Sequence, residues 1–240
     1  MKKIGIALFL TMIVIIALLY KQFYYQQSGT VVLEFDAIAA GNPLEYNQSI
    51  YPNPGGEGHF SVRAFQLYLS NIQLIGKQNQ YHPKDSYYLA RFDNDSRRYR
   101  ITLKDVPFGE YSEVSLSIGV DEQANASLIP RGDLDPNSRM AWNWEVGYKF
   151  VLFEGNLSLP DSKQALVYHI GFSENLKTNN FKPSQNFTPG NTLLRFNVDV
   201  MALFKAKQII DMNKLPSVKF ERQDAKLLAR NYKEMISLVD

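Results

Sequence analysis

The chain has 240 residues, no cysteine and a formal net charge of +2 at pH 7. That length supports one substantial core without staples, and the lack of cysteine removes thiolate nucleophiles, zinc ribbons, iron–sulfur clusters, covalently attached haem and blue-copper centres. So small a charge, with no basic run interleaved with aromatics, argues against nucleic acid as a partner, while 14 Tyr and 15 Phe suit a β-rich fold.

The N-terminus carries a membrane signal. Lys2 and Lys3 precede an unbroken apolar run from Ile4 to Tyr20, about as long as the shortest helix that spans a bilayer core. No Ala-x-Ala-like cleavage site follows. Instead Tyr20, Phe23, Tyr24 and Tyr25 can form an interfacial aromatic belt. The pattern predicts a signal anchor, in preference to a removed signal peptide, within residues 1–25. Residues 26–240 are then an extracytoplasmic domain, periplasmic and held at the inner membrane by residues 4–20.

In the domain, Val31, Leu33 and Phe35 alternate with Val32, Glu34 and Asp36, which predicts a strand ending at Gly41-Asn42-Pro43. YPNPGGEG, from Tyr51 to Gly58, reads as a loop. The next apolar positions, Phe60, Val62, Phe65, Leu67, Leu69, Ile72 and Leu74, change register once near Ala64, as at a bulge. Helix competes for the first half of that stretch. Tyr87-Tyr88-Leu89 suggests a short edge strand within a polar region. Tyr99, Ile101 and Leu103, then a turn at Pro107-Phe108-Gly109, then Val114, Leu116 and Ile118, predict a hairpin-like pair. A long loop, ANASLIPRGDLDPNSR, follows.

Met140 to Gly155, MAWNWEVGYKFVLFEG, holds both tryptophans. If extended, it turns Trp142 and Trp144 to one side, and its later residues are apolar on both faces, as in a strand buried within a sandwich. Two such rings also serve simply to anchor a core. Beyond Gly155 the pattern predicts a strand at Asn156–Leu159 and another in ALVYHIGF, with Leu166, Tyr168 and Ile170 opposed to Val167 and His169. Phe172 to Gly190 reads as a loop, TLLRFNVDVMALF as a strand running into a helical turn near Phe204. Ala225, Leu228, Tyr232, Met235 and Val239 repeat at helical spacing after Asp224, a plausible cap. The sum is an all-β sandwich or barrel with short peripheral helices.

Catalytic motifs are missing: there is no G-x-S-x-G, H-E-x-x-H or P-loop pattern, so the chain is not expected to be an enzyme. Asp133 and Asp135 resemble half a calcium loop, but turn formation accounts for them more simply. Of the three histidines, His82 lies in a polar loop before Pro83, His59 opens a strand, and His169 lies within one. A lone strand histidine is more often a satisfied core or edge residue than a ligand. A shared metal site for His59 and His169 is the functional alternative.

The segments VVLEFDAIAAGNPL, GHFSVRAFQLYLSNIQLIG, VPFGEYSEVSLSIGVDEQAN, MAWNWEVGYKFVLFEG and YHIGF, in that order, resemble the MbnP-like family, periplasmic copper-binding proteins related to MopE and CorA. The resemblance covers Val31 to Phe204. It implies a β-rich extracytoplasmic domain whose copper, favoured as Cu(I), is held by histidine nitrogens and a tryptophan oxidised to kynurenine. In some members of the family the oxidation is made by a dihaem peroxidase-like, MbnH-type partner, and the resemblance implies such a partner here. On this resemblance His169 matches the histidine of the H-x-G segment, and Trp142 and Trp144 match its W-x-W. His59 is the second ligand candidate. The competing expectation is a metal-free binding or scaffold module with Trp142 and Trp144 as a sugar or partner platform.

Overall fold

The alternation at Val31–Asp36 becomes strand β1 (Ser28–Ala39) in a computed structural model of the chain, which describes residues 12–20, 28–93, 95–127, 129–142 and 146–239. Val31, Leu33 and Phe35 are fully buried on one face, and Glu34 and Asp36 lie on the other. β1 pairs in parallel with β12 (Asn191–Asp199), which sets Phe35 opposite Phe196 with their rings stacked at 4.9 Å. On its other side β1 runs antiparallel to β7 (Arg98–Pro107) and to the two-residue β2 (Asn42–Pro43). β14 (Ile236–Val239) completes this five-stranded sheet beside β12.

The second sheet is built on β4 (His59–Ile75). A register shift between Val62 and Ala64, where the sequence places a bulge, keeps Phe60, Val62, Phe65, Leu67 and Leu69 all facing inward. β4 is antiparallel to β9 (Lys149–Ser158), which pairs with β10 (Lys163–Gly171). β10 carries the short β13 (Ser217–Val218) at its edge. Further along, β4 pairs with β6 (Tyr87–Phe92) and β8 (Glu113–Ile118), and β8 with β11 (Lys177–Phe181). The short strands β3 (Tyr51–Pro52) and β5 (Gln80–Tyr81) also join β4. The inner faces of the two sheets share one core, in which each fully buried aromatic or aliphatic side chain contributes roughly 1.5–3 kcal/mol. This is the expected β-sandwich.

Several expectations fail for identifiable reasons. β7 and β8 are not a hairpin, because the chain changes sheets between them. Tyr111 pins that crossover: it is buried, stacks on Phe187 at 5.7 Å, exchanges backbone hydrogen bonds with it, and donates its hydroxyl to the Pro107 carbonyl. Phe172–Gly190 is not all loop. The polar stretch KTNNF is the edge strand β11, where polar side chains suit a half-solvated position. YPNPGGEG opens with the two residues of β3. Gly155 does not interrupt β9, which continues to Ser158. Trp142 lies outside the strand, which begins only at Lys149.

Two helices of the domain are α2 (Glu122–Asn125) and α3 (Arg222–Tyr232). Helical spacing predicts α3 as far as Val239, but the open edge of β12 takes Ile236–Val239 as a strand, a tertiary override of local periodicity. Helix α1 (residues 12–20) is apolar and exposed. Among the described residues no helix is long and apolar enough to cross a membrane, and residues 4–11 of the predicted anchor lie outside the described set.

Candidate functional site

The segment between β8 and β9 lies against the outer face of the second sheet. Its Val120, Ala124, Leu134, Met140 and Tyr148 join Tyr68, Phe150 and Leu152 of the strands in a second buried cluster. The segment ends by folding back on itself: Trp142 N–H donates to the Gly147 carbonyl at 3.0 Å and Lys149 N–H to that of Met140 at 2.7 Å. Buried Asn125 ties this turn down, accepting from Tyr148 N–H at 2.8 Å and donating to Ser173 Oγ at 3.1 Å.

Beside this cover lies a cluster of charged side chains. Val167 on β10 pairs with Glu154 on β9, and His169 with Leu152, so Glu154 and His169 share the outer face. His169 Nε2 is 3.0 Å from Glu154 Oε1, and both side chains are mostly buried. Glu154 Oε2 receives Arg139 at 2.5 Å and Arg63 at 2.7 Å. Burial pushes the Glu154 carboxyl up, but the hydrogen bonds from Arg139, His169 and Arg63 outweigh it and bring the carboxyl down to about 2. Burial pushes the His169 imidazole down against the opposing pull of Glu154. A neutral imidazole beside an ionised carboxylate must carry its proton on the nitrogen facing it. Nε2–H therefore donates to Glu154, and Nδ1 carries the lone pair. A carboxylate fixing one ring nitrogen so that the other can coordinate is the usual outer-shell arrangement around a metal-binding histidine.

Two residues beyond His169, Gly171 brings the backbone under Trp142. A Cβ on Gly171 would stand 2.6 Å from the indole and 2.5 Å from the Tyr148 carbonyl, so only glycine lets the ring settle there. Trp142 is half-buried between Phe172 and Phe220, at 5.5 and 5.4 Å between centroids. Phe172 holds a φ of 69°, uncommon for a bulky residue, and is covered by the Arg222 guanidinium at 4.2 Å. The Lys149 ammonium lies 6.0 Å from the Trp142 ring centroid and donates to the Arg139 carbonyl at 2.5 Å. Gly171→Ala is expected to cost about 1–3 kcal/mol through overpacking and to alter tryptophan fluorescence and near-ultraviolet circular dichroism. Unchanged spectra with an unchanged melting point would remove Trp142 from this seat.

The predicted site residues are therefore only partly brought together. His169 lies two residues along β10 from Gly171, the seat of Trp142, and the Lys149 ammonium, 6.0 Å from the Trp142 ring centroid, also acts on the His169 imidazole. His59 does not join them: it is exposed and pairs with Ser158, six residues along β9 from Leu152, the partner of His169, which amounts to about 20 Å of strand. His82 lies in the loop between β5 and β6. Trp144 lies outside the described residues. Among the described residues no group of three His, Cys, Asp or Glu side chains is placed to hold a metal ion. Sequence reasoning missed Glu154 and its two arginines. The one available signal was a lone carboxylate closing the apolar run FVLFEG on the outward register of a strand.

Fold and site together define a two-sheet β-sandwich with a histidine–carboxylate–arginine cluster beside a surface aromatic stack. The sequence model of the MbnP family matches residues 28–220, and the chain belongs to that family. Among solved structures it is similar to MbnP from Methylosinus trichosporium, at 19% identity and a TM-score of 0.50 over 76% of this chain and 79% of that one. At that identity the likeness speaks for the fold alone. No curated protein matches the chain.

Proposed function

We propose that the chain is an extracytoplasmic copper-binding protein, tethered by its N-terminal apolar run, that holds Cu(I) between His169 and a modified Trp142. The observation that carries this reading is the Glu154–His169 pair, which presents a neutral imidazole with a fixed tautomer next to an ordered indole. The expected pair of imidazoles does not fit, because His59 is too distant, and an unmodified indole offers almost no lone pair. The donor set that does fit is His169 with an aromatic amine made from Trp142, its oxidation to kynurenine being the task of an MbnH-type dihaem peroxidase-like partner. Copper bound there is cargo, in a low-coordinate form that nitrogen donors can hold. Arg63 and Arg139 keep Glu154 ionised, and Glu154 keeps the imidazole turned. The chain itself performs no catalysis in this reading.

Protein co-expressed with such a partner should show a mass increase confined to the Trp142 peptide and should bind copper on titration. His169→Ala should abolish the binding, while His59→Ala should leave it intact. Copper binding unaffected by His169→Ala would reject the assignment. The second reading, a metal-free binding or scaffold module, is favoured by Phe220, 57% exposed and packed at a tilt against Trp142. It predicts unmodified tryptophan, no copper, and loss of ligand or partner binding in Phe220→Ala.

A further inference from the structure

The outer face of the second sheet changes character along β4. Under the cover it is filled by Tyr68, Phe150 and Leu152. Beyond Ser70 it is floored by small hydroxyls. In β8, Val114, Leu116 and Ile118 face the core, leaving Ser115 and Ser117 on the other side, yet these are only 6% and 1% exposed. Ser117 Oγ is 2.8 Å from Thr178 Oγ1 on β11. Ser70, paired with both Ser117 and Tyr87, is fully buried with a hydroxyl that has no partner among the described residues, an uncommon state for a buried polar group.

A second irregularity in β4, between Ser70 and Gln73, opens this floor into a recess. Asn71 takes a left-handed φ of 52°, and the bulge is pinned by Ile72 N–H donating to Ser86 Oγ at 3.0 Å. Such a bulge re-aims the side chains on either side of it. The resulting hollow, about 420 Å³, is lined mainly by polar groups, with Asn71, Gln73, Ser115, Ser117, Asp85 and Arg131 among them. That volume is within the range of small-molecule sites. Only Ile72 and Pro83 give it wholly apolar side chains, so it suits no greasy ligand. Arg131 is half-buried at its wall and makes no ion pair among the described residues. A guanidinium so placed presents a planar fork of donors matched to a carboxylate or phosphate.

The geometry points to a second binding site, separate from the His169 face, for a small polyhydroxylated oxyanion such as a sugar acid or a sugar or glycerol phosphate. Arg131 takes the oxyanion, and the Ser115 hydroxyl with the Asn71 and Gln73 amides takes the ligand's hydroxyls. Asp85, also in the lining, accepts from a further hydroxyl. The site does not depend on copper.

The test uses the metal-free full chain with gluconate, glycerol 3-phosphate, inorganic phosphate and glucose as probes, read by thermal shift and calorimetry. Gluconate or glycerol 3-phosphate at about 10 mM should raise the melting temperature by ligand linkage, while glucose should not. Arg131→Gln should weaken that binding by about tenfold or more, and Arg131→Lys should restore part of it with the melting temperature of the free protein unchanged. A response to glycerol 3-phosphate and equally to inorganic phosphate would reject the hydroxyl-binding floor. No response to any anionic probe, or the same response in Arg131→Gln, would overturn the site.

Discussion

Phe153→Ala is expected to destabilise the fold by about 3–5 kcal/mol, lowering the thermal midpoint by roughly 10 °C. Phe153 is fully buried on β9 and is the ring where three strands and a turn meet. It contacts Phe60 of β4 at 6.0 Å, Tyr168 of β10 at 5.8 Å and Phe204, just after the 3₁₀ turn Val200–Leu203, at 4.9 Å. Tyr168 is in turn held by its hydroxyl, which donates to the Leu215 carbonyl at 2.6 Å. These groups cannot collapse into the vacated space without moving a strand, so most of the cavity persists and its cost is felt in full. Phe153→Leu, which keeps much of the volume, should cost about 1.5 kcal/mol or less. Urea titration of both variants checks the pair. Similar small losses in the two would mean that the core relaxes around the gap, and that the aromatic meeting point matters less than its burial suggests.

The same strand shows what sequence can and cannot carry. Phe153 faces the core while the next residue, Glu154, faces out, and the alternation of apolar positions at β1, β4, β10 and β12 was legible because burial of one face imposes a period of two. The bulge near Ala64 was legible as a break in that period. What was not legible depended on which strands meet. Nothing local in RYRITLKDVP and EVSLSI says that they belong to different sheets, since both alternate equally well. KTNNF has too little apolar content to announce a strand, and its pairing comes from β8. Ile236–Val239 continues a helical pattern until the free edge of β12 claims it.

At the site, residue type singled out His169 and Trp142, but the two imidazoles were joined by chemistry rather than by register. Once His59 is seen opposite Ser158 and His169 opposite Leu152, strand rise alone separates them. The arginines that lock Glu154 come from the β4 bulge and from the covering segment, and neither position carries a sequence signal that points to the other.

Glu34→Gln is expected to cost about 2–3 kcal/mol at neutral pH and almost nothing in strong acid. Glu34 is 1% exposed at the centre of the five-stranded sheet's outer face, directly opposite Arg100 on β7 and Arg195 on β12. Arg100 donates to its Oε2, while Arg98 and Arg195 approach Oε1 at 3.4 and 3.3 Å. The Arg100 hydrogen bond outweighs the upward push of burial, and with Arg98 and Arg195 it holds the carboxyl below the usual carboxylate range. A depressed carboxyl stabilises the fold above its unfolded pKa of about 4.5, and that contribution disappears as pH falls through the folded value. The three arginine side chains are each more than half exposed, so solvent screening keeps the cost below that of breaking a fully buried pair. Urea denaturation of wild type and variant at about pH 7, 5 and 3 should show the two stabilities converging toward the acid end. A difference that stayed constant across that range would assign the loss to packing, and the gathering of three guanidiniums around one carboxylate would then carry no net electrostatic stabilisation.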